Sequence, residues 1–174
     1  MGNTNIIYVK LESFIKKFYT NELLRGIIFF VGLGLLYFIF TLFVEYFLWL
    51  KPTARTFLFW TFIIVEIILL GRFIMFPIFK LFKLKKGIDY KDASNIIGNH
   101  FSEVGDKLTN FLQLSEDNNK SELLLASIDQ KATTLQPIPF GNAVNFSKNK
   151  KYLPLAIIPI LFFAFFYLSG NSNM

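Results

Sequence analysis

The sequence predicts an all-α membrane protein with three transmembrane helices, an N-terminal amphipathic helix and a cytoplasmic helical hairpin between spans 2 and 3. Three observations predict this fold class. Of the 174 residues, 53% are apolar and only 17% are charged, whereas soluble chains are roughly 45–50% apolar and about 25% charged. The apolar residues are concentrated in three long blocks, and only five residues, 51–55, separate the first block from the second.

Residues 1–25 show the pattern of an amphipathic helix. Apolar side chains recur at helical spacing along one face: Ile7, Leu11, Phe14, Ile15 and Phe18. Lysines and other polar residues occupy much of the rest, so this helix has a basic face. It can lie in the headgroup layer of the inner leaflet, where a basic face suits anionic lipid. It can equally pack against the cytoplasmic helices, and the pattern leaves both arrangements open.

The first two spans are predicted at 26–50 and 56–79, and together they form a transmembrane hairpin. A helical span needs about 20 mostly apolar residues, and these stretches contain 25 and 24. The short connection at 51–55 forces the two helices to run antiparallel. Trp49 and Trp60 flank this turn, and such rings favour the headgroup layer. The turn is therefore expected at a membrane surface.

Residues 80–151 are predicted to form a cytoplasmic helical insert with basic flanks. Between residues 89 and 114, apolar side chains recur at intervals close to one helical turn: Ala93, Ile97, Val104, Leu108 and Phe111. Gly98 and Gly105 interrupt this helix and mark either close packing or a break. A second helix is expected at about 120–135, with these residues facing inward: Leu125, Ile128, Ala132 and Leu135.

Four lysines directly follow the second span, and we interpret them as lipid-facing. They alternate with apolar residues and adjoin a membrane helix. Basic residues in this position usually set the orientation of the helix and contact anionic lipid. The four residues are Lys80, Lys83, Lys85 and Lys86. Nucleic acid is not expected as a partner.

The third span is predicted at 152–168, followed by a short outer tail to residue 174. Its 17 residues carry no charge, but this length is at the lower limit for a span, so a buried core helix is an alternative. Pro154 is expected in the first helical turn, where a missing N–H costs little. Pro159 lies in the middle of the stretch and is expected to bend it.

The distribution of Lys and Arg predicts the orientation of the spans. Residues 1–25 carry four such residues and the two flanks of the insert carry eight, whereas the 51–55 turn carries two. Because positive residues concentrate on the cytoplasmic side, we expect the N-terminus and the insert inside. The turn and the C-terminus are then periplasmic, and the protein is a multi-pass protein of the bacterial inner (cytoplasmic) membrane.

The inventory of reactive side chains predicts no enzyme, no cofactor and no metal site. The chain has no Cys and a single His, His100, which excludes thiolate ligands, disulfides and cysteine nucleophiles. Neither a phosphate loop, nor a nucleophile elbow, nor a dinucleotide fingerprint is present. Gly32 and Gly34 lie within a span, where small residues commonly allow close helix approach.

Three charged residues within the spans are the candidate intramembrane polar contacts: Glu45, Glu66 and Arg72. A charge at the bilayer centre costs roughly 2.5–3.5 kcal/mol on insertion scales. Glu45 is close enough to one end to reach Lys51, Arg55 or lipid headgroups, and Arg72 can extend to the other end. Glu66 is near the middle, so a helix–helix contact, proton or ion handling, and access to water or headgroups all stay open.

The run IIGNHFSEVGDKLTNFLQL at 96–114, with SELLLASIDQKA at 121–132, resembles the N-terminal membrane region of a family of large, uncharacterised Bacteroidota envelope proteins. The most specific part is H-F-x-E-V-x-D-K-L, from His100 to Leu108. The resemblance implies a two-span hairpin, a cytoplasmic insert and a third span before a long periplasmic region. It implies no catalytic residue. This chain ends just after the third span.

These observations predict an inner-membrane anchor or scaffold that forms the N-terminal part of a larger cell-envelope protein. Its expected partners are the lipid bilayer and membrane or cytoplasmic proteins, or a second copy of the chain. A proton- or ion-responsive subunit that uses Glu66 is one alternative. The other is a module in which the insert docks a cytoplasmic partner through this run: His100, Phe101, Glu103, Val104, Asp106, Lys107 and Leu108.

Overall fold

The computed structural model describes residues 2–82, 87–117 and 121–171. Within these ranges the chain is helical with short connections, and no strand is present. The α-helices in chain order are α1 (Gly2–Leu48), α2 (Pro52–Leu70), α3 (Phe76–Leu81), α4 (Tyr90–His100), α5 (Gly105–Glu116), α6 (Glu122–Leu135) and α7 (Leu153–Asn171). A π-helical turn at Gly71–Met75 joins α2 to α3, and two 3₁₀ segments, Phe140–Ala143 and Phe146–Tyr152, precede α7.

The chain divides into two compact units. The insert unit comprises residues 1–21 and 83–145, and the span unit comprises residues 22–82 and 146–174. Helix α1 contributes to both units, because it continues without interruption from Gly2 to Leu48. Three helices in the described part of the chain are long and apolar enough to cross a membrane. The all-α class and the three candidate spans are thus confirmed.

The insert unit has a packed apolar core to which the predicted helix faces contribute. These predicted inward residues are buried: Ala93, Ile97, Val104, Leu108, Phe111, Ile128, Ala132 and Leu135. The prediction was wrong for Leu125, which is 43% exposed. Leu125 lies in the first turn of α6, where the helix has fewer neighbours than at its centre.

The beginning of α1 packs into this core. Ile7 and Leu11 are fully buried and Phe14 is 1% exposed, while Tyr8 contacts the ring of Phe111 with 5.9 Å between centroids. Of the two arrangements that the amphipathic pattern allows, the structure therefore has the packed one. Tyr19, which the pattern did not place in the core, is also buried, and its hydroxyl accepts a hydrogen bond from the Ile88 N–H at 2.6 Å.

The prediction of a two-helix hairpin in the insert was wrong, because the segment 89–114 contains two helices. Helix α4 ends at His100 and α5 begins at Gly105. The two glycines meet across this bend, where a Cβ on Gly98 would lie 2.7 Å from the Gly105 Cα. Any side chain at Gly98 would push the helices apart, so the glycines permit both the close packing and the break. With α6, the insert has three helices.

The connection between the first two spans is shorter than predicted. Helix α1 ends at Leu48 and α2 begins at Pro52, so residues 49–51 make the reversal. Trp49 has φ of 43°, in the left-handed region that non-glycine residues rarely adopt. Pro52 occupies the first turn of α2, where its missing N–H has no helical acceptor to lose.

The second span changes its helical geometry near its end. In the π turn at Gly71–Met75, the Phe76 N–H donates to the Gly71 carbonyl, five residues back. Pro77 follows directly and cannot donate to the Phe73 carbonyl, four residues before it. A single π turn beside such an interruption lets the helix continue into α3.

The third span is a single helix. Helix α7 begins at Leu153, so Pro154 lies in the first turn as predicted. Pro159 is buried and lies inside the helix, which continues past it to Asn171.

Candidate intramembrane polar site

Two close contacts within the span unit align α1 with the second span. A Cβ on Gly26 would overlap the Phe73 carbonyl oxygen, and a Cβ on Gly34 would lie 3.0 Å from Glu66 Oε2 and 3.1 Å from Oε1. Small residues are typical where membrane helices approach closely. Gly34 follows Gly26 by eight residues, which is about 12 Å along a helix. Glu66 therefore lies about 12 Å further from the Gly26 end of α1 than Phe73 does.

Glu66 is a polar group within an apolar helix contact. Its Oε1 atom is buried and has no hydrogen-bond partner among the described residues. One turn before it, the ring of Phe62 stacks on Tyr37 at 5.9 Å and contacts Phe38 at 5.7 Å. Phe38 also contacts Phe163 of α7 at 6.1 Å. Buried polar atoms normally have a hydrogen-bond partner. Because this oxygen has none, we take Glu66 as the centre of the candidate polar site.

A third glycine brings α1 against the third span. A Cβ on Gly32 would lie 2.7 Å from the Leu155 carbonyl oxygen. Gly32 and Gly34 are about 200° apart around α1 at 100° per residue. Helix α1 thus packs against α2 on one side and α7 on the other, and the predicted role of the two glycines in close helix approach is confirmed.

Glu45 forms an ion pair with Arg55, one of the partners proposed from the sequence. Glu45 Oε1 and Arg55 Nε are 2.7 Å apart, with the side chains 38% and 61% exposed. Glu45 follows Gly26 by nineteen residues, or about 28 Å of helix, close to the roughly 30 Å of a bilayer hydrocarbon core. This ion pair therefore lies about one membrane thickness from Gly26.

Arg72 lies at the Gly26 end of the span unit. It precedes Phe73, whose carbonyl meets Gly26, and its guanidinium carbon is 5.6 Å from the centroid of the Phe76 ring. Lys80 places its Nζ atom 4.5 Å from the same ring. The other three lysines predicted to face lipid, Lys83, Lys85 and Lys86, lie outside the described residues.

The residues predicted to dock a partner differ in their accessibility. Exposed side chains surround the bend between α4 and α5: His100, Glu103, Asp106 and Lys107. Phe101 is half-buried and its ring contacts the His100 ring at 4.7 Å. Val104 and Leu108 are 6% and 0% exposed. These two residues belong to the core of the insert unit, so they are unavailable to a partner, and that part of the prediction was wrong.

Lys10 has a structural position that the sequence did not reveal. Its ammonium donates to the carbonyl oxygens of Gln136 and Ile138, where α6 has just ended, and lies 4.8 Å from the centroid of the Phe140 ring. A cation is favourable where the last carbonyls of a helix lack partners. Burial lowers the pKa of Lys10, and the two carbonyls offset part of that cost.

Among the described residues, no group of three or more His, Asp or Glu side chains is arranged to hold a metal ion. No known protein family, characterised protein or solved structure matches the chain. The arrangement in the span unit, one carboxyl among aromatic rings and backbone, is suited to polar contact within a membrane.

Proposed function

We propose that this chain is an inner-membrane anchor or scaffold module and forms the N-terminal part of a larger cell-envelope protein, with no catalytic activity of its own. The observation that carries the proposal is the division of the chain. One unit contains α2, α7 and the part of α1 from Glu22 onward, which belong to the three helices long and apolar enough to cross a membrane. The other unit has its own packed core. An anchor needs both a membrane part and a part that meets other molecules in water.

The positions of charge support a membrane-spanning role for the span unit. Arg72 lies near the level of Gly26, and the Glu45–Arg55 ion pair lies about 28 Å further along α1. Charges are tolerated at the two surfaces of a bilayer, whereas its centre excludes them. With the Lys and Arg excess on residues 1–25 and 80–151, this arrangement favours a cytoplasmic insert and a periplasmic C-terminus.

The proposed partners are the bilayer, membrane or cytoplasmic proteins, and a second copy of the chain. The bend between α4 and α5 offers the contact surface of the insert, because four of its polar side chains are exposed: His100, Glu103, Asp106 and Lys107. The module would hold such a partner at the membrane.

The size of the native product tests the proposal. Membranes of the source cells are blotted with an antibody raised against the exposed residues of α4 and α5. An anchor for a larger envelope protein gives a band far above the 20.2 kDa of this chain. A band at 20 kDa after extraction without proteolysis would contradict the proposal of a larger protein.

A second candidate function rests on the unpartnered oxygen of Glu66. Here the chain is a proton- or ion-responsive subunit of a membrane machine, and Glu66 is the responsive group. Replacing Glu66→Gln in the native gene should then reproduce the phenotype of a gene deletion while the amount of protein in the membrane stays unchanged. Glu45→Gln is the matched control, because Glu45 already has Arg55 as a partner. A Glu66→Gln strain that behaves as wild type would exclude this function.

A further inference from the structure

Two cations share one aromatic ring at the Gly26 end of the span unit. The Arg72 guanidinium carbon and the Lys80 Nζ atom lie 5.6 Å and 4.5 Å from the centroid of the Phe76 ring. The three residues recur at intervals of four along the second span, so they form one strip on its surface. Arg72 and Phe76 are exposed, and Lys80 is half-buried. Both distances are within the roughly 6 Å at which an aromatic ring attracts a cation, so the ring holds the two positive charges close together.

The strip begins where the apolar part of α1 begins. The Phe73 carbonyl meets Gly26, the first residue of the apolar stretch 26–50, and Arg72 is its neighbour. From Arg72 the strip continues to Lys80, eight residues or about 12 Å further from Glu66. With Gly26 at the edge of the roughly 30 Å hydrocarbon core, this strip would extend outward across the headgroup layer, which is about 5–8 Å thick on each side.

We propose that Arg72, Phe76 and Lys80 form a binding site for the phosphate headgroup of an anionic phospholipid. The planar guanidinium of Arg72 can bond two phosphate oxygens at once, and the Lys80 ammonium supplies a second positive charge. The exposed Phe76 ring, which both cations contact, offers apolar contact to the glycerol and upper acyl chain. Charge complementarity and depth both favour a lipid over a soluble anion. The site rests on the proposed anchor function, to which it adds selectivity for lipid charge.

Spin-labelled lipids test this site in the full chain. The protein is reconstituted into phosphatidylcholine vesicles, and electron spin resonance gives the association of spin-labelled phosphatidylglycerol relative to spin-labelled phosphatidylcholine. We expect preference for phosphatidylglycerol in the wild type. Arg72→Gln and Lys80→Gln should each lower this preference by about fivefold, since one basic residue near a membrane surface contributes about 1 kcal/mol to anionic lipid binding.

Lys91→Gln is the matched control for charge, because it removes one exposed lysine from the insert unit. It should leave the preference unchanged. Lys80 lies in the short helix α3. Lys80→Gln therefore tests the site independently if Arg72→Gln fails to fold. A wild type without preference, or an equal loss in Lys91→Gln, would overturn the proposal. The proposal would also be overturned if inorganic phosphate reduced the association of phosphatidylglycerol more than sodium chloride does at the same ionic strength. The site would then bind free phosphate from water.

Discussion

Phe14→Ala should destabilise the insert unit by about 3–5 kcal/mol, the usual cost of removing a buried aromatic side chain. Phe14 is 1% exposed and belongs to the part of α1 that packs into this unit. Hydrogen exchange followed by mass spectrometry measures the effect, because peptides from α4 and α6 report the free energy of opening of the core that they share with α1. Their protection should fall with that of α1 itself.

Val9→Ala is the matched control on the same helix. Val9 is 59% exposed, so its truncation should change the free energy of opening by no more than about 0.5 kcal/mol. The pair separates the two arrangements that the amphipathic pattern allowed. If Phe14→Ala left α4 and α6 as protected as in the wild type, the beginning of α1 would be bound to lipid and would not pack against the insert.

Gly26→Ala should destabilise the span unit by at least about 1–3 kcal/mol, which is the typical cost of inserting a methyl group into a tightly packed contact. The new Cβ would overlap the Phe73 carbonyl oxygen. The positions of the Cβ and of the carbonyl oxygen are both fixed by helix backbones, so no rotamer change can relieve the overlap, and the two helices must separate. Circular dichroism of the protein in detergent measures the change as a lower midpoint of thermal unfolding.

Gly71→Ala provides the control in the second span. A Cβ at Gly71 has nothing within 4 Å, and alanine is more favourable than glycine in a helix by about 1 kcal/mol. Its unfolding midpoint should therefore equal or exceed that of the wild type. If Gly26→Ala and Gly71→Ala had the same midpoint, the close approach of α1 to Phe73 would be incorrect.

The elements of this fold were largely predictable because they follow from local patterns. A run of apolar residues predicts a span from its own length, and the spacing of Ala93, Ile97 and Leu108 predicts a buried helix face. The break between α4 and α5 was less accessible. It depends on the meeting of Gly98 with Gly105, a contact between two helices that a sequence pattern cannot distinguish from a weak point within one helix.

The individual residues of the candidate site could be predicted from the sequence, but the contacts among them could not. Glu66 is conspicuous as a charge within an apolar run, but its contact with Gly34 depends on how α1 and α2 align. The role of Lys10 could not be predicted, because its acceptors are the backbone carbonyls of Gln136 and Ile138. Every residue has a backbone carbonyl, so the residue types in the sequence do not indicate such an acceptor. The amphipathic face of α1 likewise suits lipid and protein equally, so only tertiary packing decides between them.

The most direct test of the anchor is the side of the membrane on which each connection lies. The chain has no cysteine, so single cysteines can be introduced at three exposed positions: Thr53 in the first turn of α2, Lys107 in the insert unit and Ser169 near the end of α7. Spheroplasts are treated with a membrane-impermeant maleimide before and after lysis. The proposed topology predicts labelling of Thr53→Cys and Ser169→Cys in intact spheroplasts, and of Lys107→Cys only after lysis. Labelling of Ser169→Cys only after lysis, together with Lys107→Cys, would show that α7 does not cross the membrane and would contradict the three-span anchor.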